Sequence, residues 1–460
     1  MKCLRFLLIP VASLVLAVSS GSRGEQQTGV ANSTDAIDPA IYSKIDDPED
    51  PYAYKYAEFR ARRQNDIASP DTPRPLPRYK ARHRSAEMPW SDLTSLLPFD
   101  WQRLRKESAA GVEQLLFTVK LRLAFDHPDL KISQLAIGPG GRLPLFADGA
   151  PGMFVVVGGR GIVQVGEIAS RVTTGSTVKL EPYVPRSVLA ADDMALRMLW
   201  IRWAPGGDQA YVDAGYYLTG ANQHIQPAQA NFKPGYLFWG EVDTAYGSTN
   251  SRYVSSDDVK PELDALLAKH KVKSPLYPDV PVFGHESEIP WLSAETLKSG
   301  GFFFSDDLGA LLEVADQMIS IARHKAIFRA SGPDGRWDFN FSQSAWGPRS
   351  TYVEHSHVIP EFYYVLSGPV LYGVDGEIYE SLPGDILFNN SYSPHLARGI
   401  VDGLVFRSFS STFAPNGDRG VFDRPFLLME QLPEQPGSAH LPENFQFHLV
   451  NSPTPVPAPM

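Results

Sequence analysis

The stretch Trp346-Gly347-Pro348-Arg349-Ser350-Thr351-Tyr352-Val353-Glu354-His355-Ser356-His357-Val358-Ile359-Pro360-Glu361-Phe362-Tyr363-Tyr364-Val365-Leu366-Ser367-Gly368 carries the pattern H-x-H-x3-E-x6-G. On a strand, residues two apart point to the same face, so His355 and His357 share one side. The same alternation turns Glu361, Tyr363 and Val365 one way and Phe362 and Tyr364 the other. Pro383-Gly384 signals a turn before a short apolar strand, Ile386-Leu387-Phe388, and the chain then runs through Asn389, Asn390 and Ser391 to His395. Three imidazoles and one carboxylate are a ligand set for one divalent first-row ion: Fe, Mn, Ni, Cu or Zn. Ligands gathered from several strands would leave coordination positions open for a substrate.

An eroded copy of this pattern lies upstream. Gly138-Pro139 aligns with Gly347-Pro348 at an offset of 209, which sets Phe154-Val155-Val156-Val157 under Tyr363-Tyr364-Val365-Leu366. Trp203-Ala204-Pro205-Gly206-Gly207-Asp208 echoes Phe413-Ala414-Pro415-Asn416-Gly417-Asp418 after a one-residue slip, and Glu87-Met88-Pro89-Trp90 echoes Glu288-Ile289-Pro290-Trp291. The chain therefore reads as a tandem duplication. At the offset, His355 becomes Phe146, His357 becomes Asp148, Glu361 becomes Gly152 and His395 becomes Arg186. The first copy is expected to bind no catalytic metal and to serve as a structural or interface partner. Arg186 is read as packed over a barrel mouth, with an organic anion as the alternative occupant.

The 460 residues are 43% hydrophobic, enough for two full cores, and the formal net charge of −10 argues against nucleic acid as a partner. Frequent Gly and Pro among β-branched and aromatic runs fit an all-β protein with a few helices. Lys2 and Arg5 precede an apolar run from Phe6 to Val18, followed by Ser19-Ser20-Gly21-Ser22. This reads as an export signal, too short for a typical bilayer span of about 20 residues. The expected location is periplasmic or secreted, with no membrane span after signal removal. The one cysteine, Cys3, lies within that signal, so no disulfide is expected.

The expected organisation is a signal peptide at 1–22, an extended polar arm at 23–85, a degenerate barrel at 86–240, a helix and linker at 241–285, a metal-binding barrel at 286–445 and a disordered tail at 446–460. The arm is acidic from Asp35 to Asp50 and basic from Lys55 to Arg84, with prolines that favour extended chain. Ser255-Ser256-Asp257-Asp258 and Ser305-Asp306-Asp307 read as caps of two helices. His270, His285 and His324 fall outside the motif and read as surface histidines. Packing of barrel on barrel, or pairing into a homodimer, would each cover an exposed sheet face.

The two motif blocks resemble the signature motifs of the cupin superfamily, which implies tandem double-stranded β-helix (jelly-roll) barrels, a bicupin. The resemblance implies a mononuclear metal on His355, His357, Glu361 and His395 and a small-molecule substrate; it does not fix the reaction. The set H-x-H-x3-E-x-Y with a later His is similar to the cupin-type dimethylsulfoniopropionate lyases. There the metal holds the substrate carboxylate and a Tyr takes the α-proton, a role that falls on Tyr363. A free phenol, with a pKa of about 10, is a poor base until a nearby cation lowers it. Tyr352 and Tyr372 are further candidates for the cavity wall, and Arg349 and Arg398 for carboxylate clamps. The alternatives are an Fe(II) dioxygenase resembling quercetin- or diketone-cleaving cupins, and a non-enzymatic metal- or ligand-binding cupin.

Overall fold

The computed structural model describes residues 79–97, 101–166, 168–208, 211, 216–218, 275–292, 322–332, 336–357, 359–375, 377–391, 393–402, 404–417, 419 and 427–428. The expected signal, most of the arm, both helices read from caps, His270 and the tail lie outside the described residues.

After β1 (Arg82–His83) come α1 (Leu93–Leu96) and α2 (Trp101–Thr118), and then β2 (Val119–Asp126), β3 (Leu130–Ile137), β4 (Arg142–Asp148) and β5 (Gly152–Gly158). The first half continues with β6 (Arg160–Val165), β7 (Ile168–Thr173), β8 (Ser176–Leu180), β9 (Arg186–Ala190), β10 (Leu196–Trp203) and β11 (Tyr216–Leu218). The second half comprises β12 (Phe283–His285), β13 (Ala322–Ser331), β14 (Trp337–Trp346), β15 (Thr351–Ser356), β16 (Glu361–Ser367) and β17 (Val370–Val374). It ends with β18 (Glu377–Ser381), β19 (Ile386–Asn389), β20 (His395–Gly399), β21 (Phe406–Phe413) and β22 (Leu427–Leu428).

These strands form two jelly-roll barrels, each a six-stranded sheet facing a five-stranded one. The six-stranded orders are β12-β8-β5-β10-β3-β2 and β1-β19-β16-β21-β14-β13. The five-stranded orders are β11-β4-β9-β6-β7 and β22-β15-β20-β17-β18. Strand for strand, the second half repeats the first. The turn before β8 and the turn before β19 each use a left-handed glycine, Gly175 (φ 96°) and Gly384 (φ 95°), at the offset of 209 seen in the sequence.

The two six-stranded sheets also pack against each other. Phe125, Ile132, Val155, Ile201 and Trp203 of the first half join Phe339, Phe341, Phe362, Phe388 and Phe409 of the second in one apolar layer. Trp203 stacks on Phe339 with ring centroids 4.4 Å apart. Burial of such side chains contributes about 1.5–3 kcal/mol each. Both faces of these sheets are thus covered, and in the first barrel β5 and β10 accordingly read as largely apolar runs. The first barrel's own core holds Leu121, Leu135, Phe146, Phe154, Met198 and Trp200, with Trp101, Val112 and Leu115 of α2 packed on it.

Two segments depart from the expected organisation. Arg82 and His83, placed in the solvated arm, pair with Leu387 and Ile386 of the second barrel. Phe283–His285, placed in the linker, pairs with β8 of the first barrel. Each half therefore lends a strand to the other. Just upstream, Tyr277 is buried in the inter-barrel layer, and its hydroxyl accepts a 2.9 Å bond from Trp203 Nε1.

Candidate metal centre

β15 and β20 run antiparallel with His355 opposite His395. Their rings lie 4.0 Å apart, centroid to centroid. His357 follows the end of β15, and β16 opens on Glu361, which pairs across to Asn389 and Thr412. The ligand atoms of His355, His357 and His395 all lie within 4.8 Å of one another. Glu361 Oε2 sits 3.4 Å from His357 Nε2 and 3.6 Å from His395 Nε2. All four residues are buried.

Main-chain carbonyls orient two of the rings. His357 Nδ1 donates to Ile359 O at 2.6 Å and His395 Nδ1 to Ser393 O at 2.8 Å. That arrangement leaves each Nε2 lone pair aimed inward, the tautomer a metal ligand requires. His395 Nε2 is a buried nitrogen without a hydrogen-bond partner. Burial would raise the Glu361 carboxyl, but the adjoining His357 and His395 rings outweigh it and hold it down at about 2. Burial also lowers His395, against the pull of Glu361. A carboxylate held ionised beside three imidazoles fits one divalent transition ion.

Around this cluster lie three phenols. Tyr363 is two residues along β16 from Glu361, on the same face, near enough to feel its charge. Burial, then the Glu361 charge, pushes the Tyr363 hydroxyl well above its ordinary value. Tyr372, 5.3 Å from Tyr363 ring to ring, donates from its hydroxyl to Asn389 Oδ1 at 3.0 Å. Tyr352 packs between Trp346 and His355, at 4.4 Å from each. Asn389 was not singled out by the sequence reading; its place opposite Glu361 in a strand register is the signal that would have found it.

The two candidate clamps do not reach the cluster. Arg398 alternates outward from His395 and Ala397 and is exposed. Arg349 sits in a left-handed turn (φ 55°), is mostly exposed and pairs with Asp402. His324 and His285, expected at the surface, need correction too. His324 is buried, its Nδ1 2.9 Å from Ser344 Oγ. Burial lowers it to about 4, against the pull of Glu361 and with the help of Arg323. His285 is half-buried, with Nδ1 2.7 Å from Ser287 Oγ.

No family model matches this sequence, and no curated protein does. Among solved structures, oxalate decarboxylase from Lactobacillus farciminis is similar at a TM-score of 0.42 and 11% identity, over 74% of this chain and 87% of that one. AerE from Microcystis aeruginosa is similar at 0.38 and 8%, over 64% and 92%. The E. coli protein Ylba is similar at 0.37 and 12%, over 64% and 83%. Two sheet orders repeated strand for strand, with the H-x-H…E…H ligands inside the second barrel, decide the architecture. In fold, the chain is a bicupin.

The bicupin's two interiors differ in a way that bears on chemistry. Register equates Phe146–Arg186 in the first barrel with His355–His395 in the second. Where the second barrel has His357, the first has Asp148, whose carboxylate accepts from Arg202 Nε at 2.6 Å and Nη2 at 2.8 Å. A side chain at Gly152, the counterpart of Glu361, would place its Cβ 2.6 Å from Ile201 O. Arg186 is fully buried and donates to the carbonyls of Val184 and Glu181. It packs within the barrel and presents no anion site at the surface. The inner wall changes likewise: Leu121, Leu135, Met198 and Trp200 of the first barrel stand where the second has His324, Ser344, Ser408 and Ser410. Ser342 and Ser410 hydroxyls meet at 2.7 Å. Along this stretch of wall the first barrel presents hydrocarbon and the second hydroxyl and imidazole.

Proposed function

We propose that the second barrel is the active site of a single-metal enzyme acting on a small organic acid. The preferred reaction is β-elimination of the dimethylsulfoniopropionate type. The observation that carries this reading is Tyr363 buried on the same strand face as Glu361, inside a barrel whose inner wall has gained hydroxyl and imidazole groups. His355, His357, Glu361 and His395 would hold the ion, which when bound supplies Lewis acidity and a positive charge beside Tyr363.

The chain's own residues then divide the work. The Ser342, Ser344, Ser408 and Ser410 wall offers hydroxyls to a carboxylate. The faces of Trp346, Tyr352 and Tyr372 offer π-density to a sulfonium cation, a contact worth about 0.5–2 kcal/mol. Without a neighbouring cation Tyr363 stays protonated, so proton abstraction needs the phenol lowered toward its working range. The Tyr363 oxygen then takes the α-proton, the Cα–Cβ double bond forms, and the Cβ–S bond breaks with its electron pair leaving on sulfur. The products are acrylate and dimethyl sulfide.

The test is headspace sulfide from the metal-loaded protein given the sulfonium acid, beside Tyr363→Phe and His395→Ala. Sulfide from the parent alone supports the reading; none from the parent, or as much from Tyr363→Phe, overturns it. The aromatic walls also suit a flat unsaturated substrate, which favours an oxygen-dependent, diketone- or flavonol-cleaving reaction as the second reading. Turnover that survives strict anaerobiosis excludes that one.

A further inference from the structure

Between the barrels, on the side away from the metal ligands, lies a cavity of about 350 Å³ whose walls include Ser85, Trp90, Arg122, Gln134, Arg197 and Tyr364. The duplication supplies a second copy of this place, and in charge the two copies differ by one carboxylate. Register makes Arg122 the counterpart of Lys325, since each pairs with a buried Gln, Gln134 or Gln343. The same strand alignment makes Arg197 the counterpart of Arg407. The E-x-P-W echo makes Ser85 the counterpart of Glu286 and Trp90 that of Trp291. Contacts at the equivalent turns agree: a Cβ on Gly175 would lie 2.8 Å from Glu286 Cγ, and one on Gly384 would lie 3.3 Å from Ser85 Cβ.

In the second copy the site is filled. Glu286 Oε2 is 2.7 Å from Lys325 Nζ, both side chains are fully buried, and Lys325 sits 4.4 Å from the centroid of the buried Trp291 ring. Arg407 also feels the Glu286 charge. In the first copy a serine hydroxyl replaces the carboxylate. Arg122 stacks 4.4 Å from the half-exposed Trp90 ring. All its N–H groups go to neutral acceptors: Gln134 Oε1, the carbonyls of Ser85 and Met88, and Ser85 Oγ. Its charge is held in place without being neutralised. Arg197 is exposed, and among the described residues no carboxylate pairs with it. Asp385 stands nearby but outside the lining, its oxygens taken by the main-chain N–H groups of Ser85 and Leu382. The Arg197 guanidinium, the Tyr364 hydroxyl and the Ser85 hydroxyl remain as donors toward the space.

We propose that this cavity binds a small organic carboxylate with an apolar body, whose carboxylate takes the place that Glu286 fills in the other half. Its apolar part packs on Trp90, Val157 and Leu366. A cavity of this size is at the small end for organic ligands, which suits a benzoate-sized acid.

The experiment is isothermal titration of the full chain with sodium benzoate, beside the isosteric neutral amide benzamide. The expected result is saturable binding of about one benzoate per chain, unchanged in His357→Ala, which separates this site from the metal centre. Benzamide should bind far more weakly. Arg197→Ala should weaken benzoate by about tenfold or more, the worth of a charge-assisted hydrogen bond. Ser85→Glu, which inserts the missing carboxylate, should abolish binding while the protein melts cooperatively at or above the parent temperature. Should Ser85→Glu fail to fold, the cavity-wall changes Arg197→Ala and Tyr364→Phe decide. No saturable binding below about 10 mM would overturn the proposal. So would equal binding of benzamide, loss of binding in His357→Ala, or parent-like binding in folded Ser85→Glu or in Arg197→Ala.

Discussion

Replacing Asp148 by Asn tests whether its pair with Arg202 is a structural replacement, in the first barrel, for the ligand set of the second. Asp148 is fully buried and Arg202 nearly so, and the carboxylate also accepts from Ala150 N at 3.0 Å. Asn fills the same volume, so the substitution opens no cavity; it removes the negative charge and leaves the Arg202 guanidinium buried against a neutral amide. Breaking a buried pair in this way costs about 3–5 kcal/mol. For a barrel of this size each kcal/mol moves the melting temperature by about 2–4 °C, so a fall of about 6–20 °C is expected by circular dichroism. Removing both partners, as Asp148→Leu with Arg202→Met, should return stability to within about 1 kcal/mol of the parent or above it. Metal content should be the same in all three proteins. A loss under about 1 kcal/mol in Asp148→Asn, or any fall in bound metal, would refute the view that this pair is a structural replacement for the ligand set.

Further outcomes follow from the same geometry. The protein purified without chelator should carry about one transition ion per chain, lost in both His395→Ala and His357→Ala, by elemental analysis. Metal-free protein should lose stability as acid rises: burial keeps His324 neutral down to about 4, whereas the unfolded chain takes up that proton near 6.5. Stability is therefore full above pH 6.5 and falls by about 3 kcal/mol toward pH 4; His324→Asn should flatten this limb in urea titrations. A second limb belongs to Glu361, whose depressed carboxyl stabilises above its unfolded value and loses that contribution as pH falls toward 2. Expressed in a Gram-negative host, the full chain should appear in the periplasmic fraction with a new N-terminus near Ser22, by N-terminal sequencing.

The metal cluster was legible because strand alternation and turn chemistry are local: H-x-H, a Glu on the next strand and a His after a Pro-Gly turn need no knowledge of distant pairing. The offset of 209 was legible for the same reason, and register bears it out at Phe146–Arg186 and His355–His395. What escaped was set by partners far away in sequence. His324 looks like any polar residue until β13 lies beside β14 and turns it inward to Ser344. Arg82–His83 and Phe283–His285 are too short and polar to announce themselves as strands; each exists because the other barrel presents an open edge. The helix Trp101–Thr118 hides behind a strongly charged first half, with Trp101, Val112 and Leu115 among the buried residues of its inner face.

The exchange of strands between halves sets a timetable for making this protein. Ser85 N meets Asp385 Oδ1 across 300 residues. At about 5–20 residues per second, the segment around β1 waits some 15–60 s, by rough reckoning, for the edge it will join. During that interval it must neither fold elsewhere nor aggregate, and Lys80, Arg82 and Arg84 give it the charge to stay solvated. The second barrel is thus closed by the part of the described chain that leaves the ribosome first, and a cut between the halves would leave each with a bare sheet edge.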